Sequence, residues 1–493
     1  MATICESKIA LIVFRRQNRS IVACSSVFHR KSSHLSYYHQ TSKEPLTYQT
    51  ISQMVSAAVT KYGNREALVD CTQGVRLTFE EANKRAENFA LGLLELGFKP
   101  NDRIGIWGPN SVQWYIASLA ASKAGLIIVD INPGYQSSEL LYCIQAVKLK
   151  GIIMDETFKT QHYLNILNQA VPDLTNSGPN TPVKSATLPY FTHVIVNSSQ
   201  KHDGVYRFQD IEHEYSNKKH HSSLLDIDKQ CQADDGCLIQ FTSGTTGSPK
   251  AALLSHFNVV NNGLLAAKRQ NLNKMWLLIC QQQVYGMTET SPVTFLHPAE
   301  NELSANKAHT VGKVLEHTEV KVVDSENRMV PLGQQGELLV RGYCNMLRYW
   351  GNEEKTKEMI SEDGWLRTGD QFVLTEDGFG QVVGRLKDLI IRGGENIYPG
   401  EVEDFLTNHP DILEAYVYGV RDERMGEEIG ASIRLQDNCS LSEADLREYC
   451  KGKISHFKVP RYIEFVQDFP KTTSGKIRKF ILKENMEKRL MNV

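Results

Sequence analysis

The alternation of apolar and polar positions becomes regular from Ile51. Ile51, Val55, Ala58 and Val59 recur at helical spacing. Glu66 to Asp70 reads as a short strand. Thr78 is placed to cap a helix, with Glu81 three residues on to complete a capping box. That helix runs to about Leu96, where Gly97 can end it. Arg103 to Trp107 is a buried strand, and Gly108-Pro109-Asn110-Ser111 turns into a helix carrying Trp114 and Tyr115. Gly125 to Ile131 is another apolar strand, stopped by Asn132-Pro133-Gly134. Strands alternating with helices predict a parallel sheet covered on both faces. Residues 172–235 are richer in Asn, Ser, His, Lys and Pro, and no firm element is predicted there. From Asp388 a compact unit begins: Val402, Phe405 and Leu406 on one helix, Ala415 to Val420 as a strand, Ala444 to Cys450 as a helix. The predicted class is α/β: a large N-terminal domain of mixed or parallel sheets under helices, over 44–386, and a small α+β domain over 387–493.

Composition narrows the classes. Hydrophobic residues make up 41% and charged residues 23% of 493, enough apolar surface to bury a core. A disordered chain, a collagen and a disulfide miniprotein are excluded. The net charge of −2 argues against a dedicated nucleic-acid binder. No apolar run approaches the ~20 residues of a membrane-spanning helix. None of the ten cysteines is spaced C-x-x-C, which predicts free thiols in a reducing compartment. His213, His220 and His221 fall in a polar stretch that reads as a solvated loop. Residues 1–43 carry seven cations against one acid, Glu6, among frequent serines. That is the composition of a transit peptide and predicts import into the mitochondrial matrix.

The chemistry concentrates in Phe241-Thr242-Ser243-Gly244-Thr245-Thr246-Gly247-Ser248-Pro249-Lys250. Leu238, Ile239 and Phe241 predict a strand before it. Two glycines let backbone N–H groups approach an anion, the hydroxyls add donors and Lys250 adds a point charge. This reads as a phosphate loop, but not a Walker A loop: Pro249 precedes the lysine and Ala251 follows it.

The string resembles the signature of the adenylate-forming superfamily, which includes acyl-CoA synthetases, luciferases and peptide-synthetase adenylation domains. Further matches follow in order: Tyr285-Gly286-Met287-Thr288-Glu289; Gly336-Glu337-Leu338 with Arg341-Gly342; Trp365 with Thr368-Gly369-Asp370; Gly384-Arg385-Leu386-Lys387-Asp388; Gly393-Gly394-Glu395-Asn396-Ile397-Tyr398-Pro399; and Pro470 to Lys476. The resemblance covers essentially everything after residue 48. It implies a fatty acyl-CoA synthetase of the mitochondrial medium-chain type, using ATP, Mg²⁺ and coenzyme A. A carboxylate would attack the α-phosphate of ATP, giving an acyl-adenylate and pyrophosphate, and coenzyme A would then displace AMP. Two anions must meet in the first half, so catalysis is mostly charge neutralisation and positioning.

The resemblance also implies roles. Thr242 to Lys250 would cradle the β- and γ-phosphates, Glu289 would hold Mg²⁺, Thr288 would lie near the α-phosphate and Tyr285 against the adenine. Asp370 would accept from the ribose hydroxyls, Arg385 would add a ribose or phosphate contact, and Gly394 belongs to the loop beside the coenzyme A tunnel. Lys476 would bridge the substrate carboxylate and the α-phosphate. Lys387 would be the hinge about which the small domain rotates, exchanging Lys476 for the Gly393 to Tyr398 loop.

One departure matters. Lys250 and Tyr285 are only 35 positions apart, where family members carry roughly a hundred more residues, a small domain's worth of chain. The join Trp276 to Gln283, an apolar run against three glutamines, reads as an internal deletion. It should leave the acyl pocket incomplete and packed surfaces without partners. Two further readings stay open: a catalytically impaired form that only binds nucleotide or a partner, and an adenylating enzyme for another carboxylic acid.

Overall fold

The computed structural model describes residues 34–214, 221–242, 249–270, 284–298, 310–385, 388–393, 395–451, 453–454, 456–472 and 476–491. Its centre is an eight-stranded sheet. In spatial order the strands are Tyr206–Arg207, His193–Asn197, Gly151–Asp155, Arg103–Trp107, Ile127–Ile131, Gly236–Thr242, Lys250–Ser255 and Arg348–Tyr349. The first six run parallel, Lys250–Ser255 runs against them, and Arg348–Tyr349 pairs antiparallel to Lys250–Ser255. Helices Phe79–Glu95 and Val112–Lys123 cover one face, packing on Ile104, Ile106 and Ile128. Helices Ser137–Ala146 and Tyr163–Ala170 cover the other, over Val129, Ile131 and Met154. Apolar residues are therefore needed on both sides of the central strands, which is why Arg103–Trp107 and Ile127–Ile131 read as continuous apolar runs. The Thr78–Glu81 capping box forms, with Thr78 Oγ1 accepting from Glu81 N–H and Glu81 accepting from Thr78 N–H.

Several parts of the fold were not expected, among them helices Phe208–Glu214 and His221–Gln230, which carry His213 and His221 where a solvated loop was predicted. His193–Asn197, inside the stretch where no firm element was predicted, is a buried strand of the main sheet. Its Val-Ile-Val core is flanked by loops whose polarity hides it. A second sheet of five antiparallel strands also forms from Tyr37–Gln40, Thr318–Val323, Gln335–Gly342, Leu366–Leu374 and Gly380–Arg385. A small three-stranded sheet, Val284–Tyr285, Phe295–Leu296 and Lys313–Val314, packs with it around Phe295 and Phe372.

The second sheet corrects the expected extent of the leader. Tyr37–Gln40, assigned above to a 1–43 presequence, is its edge strand. Ser36 is fully buried and donates to the Pro331 carbonyl at 2.9 Å, and the Tyr37 hydroxyl donates to Glu319 at 2.6 Å. Residues 34–40 are part of the packed protein.

Residues from Ile390 onward build their own sheet, with Gly426–Leu435 between Ile412–Asp422 on one side and Ile390–Arg392 and Tyr462–Phe465 on the other. Helices Pro399–Thr407 and Glu443–Cys450 bury Val402, Leu406 and Leu446 in its core. Val284 and Leu264, on the elements either side of the expected deletion, are exposed; the join itself lies outside the described residues. Among the described residues no helix is long and apolar enough to cross a membrane.

Candidate active site

The phosphate-loop string opens and closes on paired strands. Gly236–Thr242 runs antiparallel to Lys250–Ser255, with Thr242 directly opposite Lys250. Ser243, Gly244, Thr245, Thr246, Gly247 and Ser248 fall between them and lie outside the described residues. The Pro249 carbonyl accepts from the Tyr142 hydroxyl at 2.8 Å, which fixes the return of the chain.

Lys250–Ser255 next pairs with Arg348–Tyr349, so that Ala252 and Tyr349 are cross-strand neighbours. This register brings the Lys250 ammonium to 5.0 Å from the centroid of the Tyr349 ring, a cation–π contact. The Tyr349 hydroxyl donates to Glu289 Oε1 at 2.7 Å. Burial, reinforced by the Glu289 carboxylate, pushes the phenol pKa well above its ordinary value, so at neutral pH it stays protonated and donates. Glu289 is only 5% exposed. Among the described residues its second oxygen makes no hydrogen bond.

Glu289 lies in a short 3₁₀ turn, Thr288–Thr290, and its carbonyl accepts from Met346 N–H at 2.9 Å. The turn is packed tightly. A Cβ at Gly286 would fall 1.7 Å from the Pro292 carbonyl oxygen, so only glycine fits. Thr288 is half-buried at the start of the turn.

Upstream of the turn, the buried Tyr285 packs its ring between Phe295 and Phe372. Its hydroxyl donates to Asp370 Oδ2 at 2.7 Å. Asp370 follows Gly369, whose φ of +69° suits glycine, and pairs across the sheet with Arg385. The structure thus joins Lys250 to Glu289 through Tyr349, and Tyr285 to Asp370, with the 285–290 segment linking the two groups. The Arg385 side chain, Lys387 and Gly394 lie outside the described residues. Lys476 is exposed on the small domain, where its N–H donates to Thr472 Oγ1 at 3.0 Å and its carbonyl accepts from Thr472 N–H at 2.7 Å. Its ammonium forms no ion pair with another described residue.

Sequence reasoning missed Tyr349 and Asp130. Tyr349 sits in Arg348-Tyr349-Trp350, which carries no motif; only strand register reveals it. Asp130, beside the loop-bearing strand, receives a 3.5 Å contact from Gln240, and burial pushes its carboxyl up to about 6.

The AMP-binding enzyme family model matches residues 55–280 and 266–350, and the AMP-binding enzyme C-terminal domain model matches 401–476. The medium-chain acyl-CoA ligase ACSF2, mitochondrial, of Danio rerio is 38% identical over 557 aligned positions, covering 92% of this chain and 91% of the relative. The putative acyl-CoA synthetase YngI of Bacillus subtilis is 31% identical, covering 89% and 97%. Among solved structures, the anthranilate CoA ligase AuaEII in complex with anthranoyl-AMP superposes with a TM-score of 0.72 at 20% identity, covering 91% of this chain and 99% of that one. ATP-bound MatB from Rhodopseudomonas palustris superposes with a TM-score of 0.71 at 22% identity, covering 88% and 99%. The chain belongs to the AMP-binding enzyme family, on the acyl-CoA synthetase branch of the adenylate-forming superfamily.

Proposed function

We propose that this chain activates a medium-chain fatty acid with ATP, forming an acyl-adenylate and then acyl-CoA, in the mitochondrial matrix. The observation that carries the adenylating chemistry is the Lys250–Tyr349–Glu289 chain of contacts. It sets a cation and a carboxylate of the two nucleotide-binding motifs beside one ring. Lys250 and the 242–249 string would hold the triphosphate. The second oxygen of Glu289 and the Thr288 hydroxyl are hard donors that suit Mg²⁺, which would neutralise phosphate charge when bound. Asp370, positioned by Tyr285, would accept from the ribose, with Arg385 adjacent. Lys476 would pair with the substrate carboxylate and the α-phosphate once rotation about Lys387 carries it across. The carboxylate oxygen then attacks phosphorus, pyrophosphate leaves, and the coenzyme A sulfur displaces AMP in the second half.

The medium-chain substrate and the compartment rest on the similarity to the mitochondrial medium-chain acyl-CoA ligases and on the basic, serine-rich segment ahead of Ser36. Incubating the full-length chain with ATP, Mg²⁺, coenzyme A and acids of increasing chain length, beside anthranilate, tests this. AMP and thioester formation peaking at medium chain length supports it; turnover of the aryl acid alone would redirect it to another carboxylate.

We further infer that the chain is internally shortened near residues 271–283. The alignment with the Danio rerio relative is 557 positions long but draws on 92% of a 493-residue chain, so roughly a hundred positions are filled by the relative alone. The family match also divides into two segments, overlapping at 266–280. This shortening favours a second reading, a form that binds nucleotide without completing catalysis. A cooperatively folded chain that binds ATP and forms neither product would establish that reading.

A further inference from the structure

Arg392 ends the three-residue strand Ile390–Arg392, which enters the Gly393 to Tyr398 loop. It pairs along its whole length with Glu395–Ile397 on the far side of the turn, Arg392 opposite Glu395, but meets Gly426–Leu435 through a single register pair, Arg392 opposite Gly426, so little ladder fixes this hairpin to the rest of the sheet. Side chains of the neighbouring strand supply the rest. The Glu428 carboxylate, fully enclosed, accepts from Arg392 Nε at 2.5 Å and from a terminal guanidinium nitrogen at 3.0 Å. Glu427 Oε2 accepts from Ile391 N–H at 3.0 Å. The Met425 carbonyl accepts from Gly393 N–H at 2.8 Å, and Gly393 has φ +57°.

Enclosing a carboxylate this deeply costs free energy unless it is paired and hydrogen-bonded. The two-point fork fixes the plane of the guanidinium as well as its distance, and with it the direction in which the chain leaves Arg392. Glu428 also accepts from Arg461 at 3.1 Å. That residue reaches the same carboxylate from the segment before Tyr462–Phe465 and is half exposed. Both arginines satisfy Glu428, but only Arg392 is continuous with the loop.

We propose that the Arg392–Glu428 pair positions the Gly393 to Tyr398 loop for the thioester-forming half of the reaction. The proposal rests on the function proposed above. Arg392 and Glu428 act through the loop and are positioning residues.

The test measures two half-reactions in the full-length chain: acid-dependent ATP–pyrophosphate exchange, and thioester formation from supplied acyl-adenylate and coenzyme A. Arg392→Lys keeps the charge and loses the fork. It is expected to leave exchange within about twofold and to slow thioester formation about tenfold, with an unchanged thermal midpoint. Arg461→Lys, which alters the same buried carboxylate away from the loop, is expected to change neither rate. Equal loss of both half-reactions in Arg392→Lys, the same split in Arg461→Lys, or loss of the thermal transition in Arg392→Lys would each overturn the proposal. A wild-type chain with no exchange removes the functional reading, and this inference with it. Exchange without thioester removes this inference alone.

Discussion

The Tyr349 hydroxyl lies 2.7 Å from Glu289 Oε1 while the same ring lies under the Lys250 ammonium at 5.0 Å. One side chain, 60 residues from Glu289 in sequence, thereby fixes the distance between the candidate phosphate-binding cation and the candidate metal-holding carboxylate. The hydrogen bond occupies one oxygen of Glu289 and aims the other. Tyr349→Phe keeps the ring and the cation contact but removes the donor. The half-saturating Mg²⁺ concentration for nucleotide binding should rise about tenfold, the order expected when a charge-assisted hydrogen bond is lost. A Mg²⁺ titration followed by calorimetric ATP binding reads this directly; an unchanged Mg²⁺ dependence would show that Tyr349 is only packing.

Under the proposed function Lys476 would carry the adenylation step. Lys476→Ala should suppress acid-dependent pyrophosphate exchange by about a hundredfold or more, the scale of a lost electrostatic stabiliser. Thioester formation from supplied acyl-adenylate should be spared. Because the residue is exposed and its mapped hydrogen bonds to Thr472 are backbone ones, the thermal midpoint should stay within a degree or so of wild type. Equal loss of both half-reactions would contradict its role.

Two buried histidines set a pH dependence of stability. Burial holds the pKa of His193 and His256 down at about 4, against 6.5 when exposed. His256 Nδ1 accepts from Ile51 N–H at 3.2 Å, which requires the neutral ring. A base depressed on folding stabilises above its unfolded pKa, so the stabilisation is full above pH 6.5 and is lost as pH falls towards 4. Each contributes on the order of a few kcal/mol over that window. Asp130 acts in the opposite sense: raised to about 6, it stabilises the fold most below 3.8 and loses that contribution as pH rises through 6. The difference between wild type and His256→Asn isolates the histidine. The variant's thermal midpoint should fall less steeply between pH 6.5 and 4. Parallel curves would show that His256 does not titrate against folding.

The edge strand Tyr37–Gln40 gives a truncation test. The chain lacking residues 1–33 sets the reference thermal midpoint. Removing 1–43 deletes four paired strand residues, the buried Ser36 and the Tyr37–Glu319 hydrogen bond, and should lower it by several degrees, as expected for a loss of a few kcal/mol. Equal midpoints would mean the strand adds nothing to the fold.

How much of this was legible depends on how local the cause is. The Thr78–Glu81 box and the Arg103–Trp107 strand are set by neighbours in sequence, and reading them needed only periodicity. The Tyr285 and Asp370 strings could be found as motifs, but their 2.7 Å contact spans 85 residues and depends on how the small sheet packs against Phe372. Tyr349 has no motif at all; it reaches Glu289 because Ala252 and Tyr349 share a register position. His193–Asn197 was hidden by polar loops on either side. The second sheet is built from strands such as Thr318–Val323, whose pairing partners are distant and whose order cannot be read from alternation alone.

The proposed function requires that the retained motifs still activate a carboxylic acid at the phosphorus of ATP. Acid-dependent exchange of labelled pyrophosphate into ATP, measured on the chain from residue 34 onward, is its most direct test. Exchange should require both a medium-chain fatty acid and Mg²⁺ and should disappear in Lys476→Ala. A folded chain that binds ATP yet shows no exchange with any acid would contradict it.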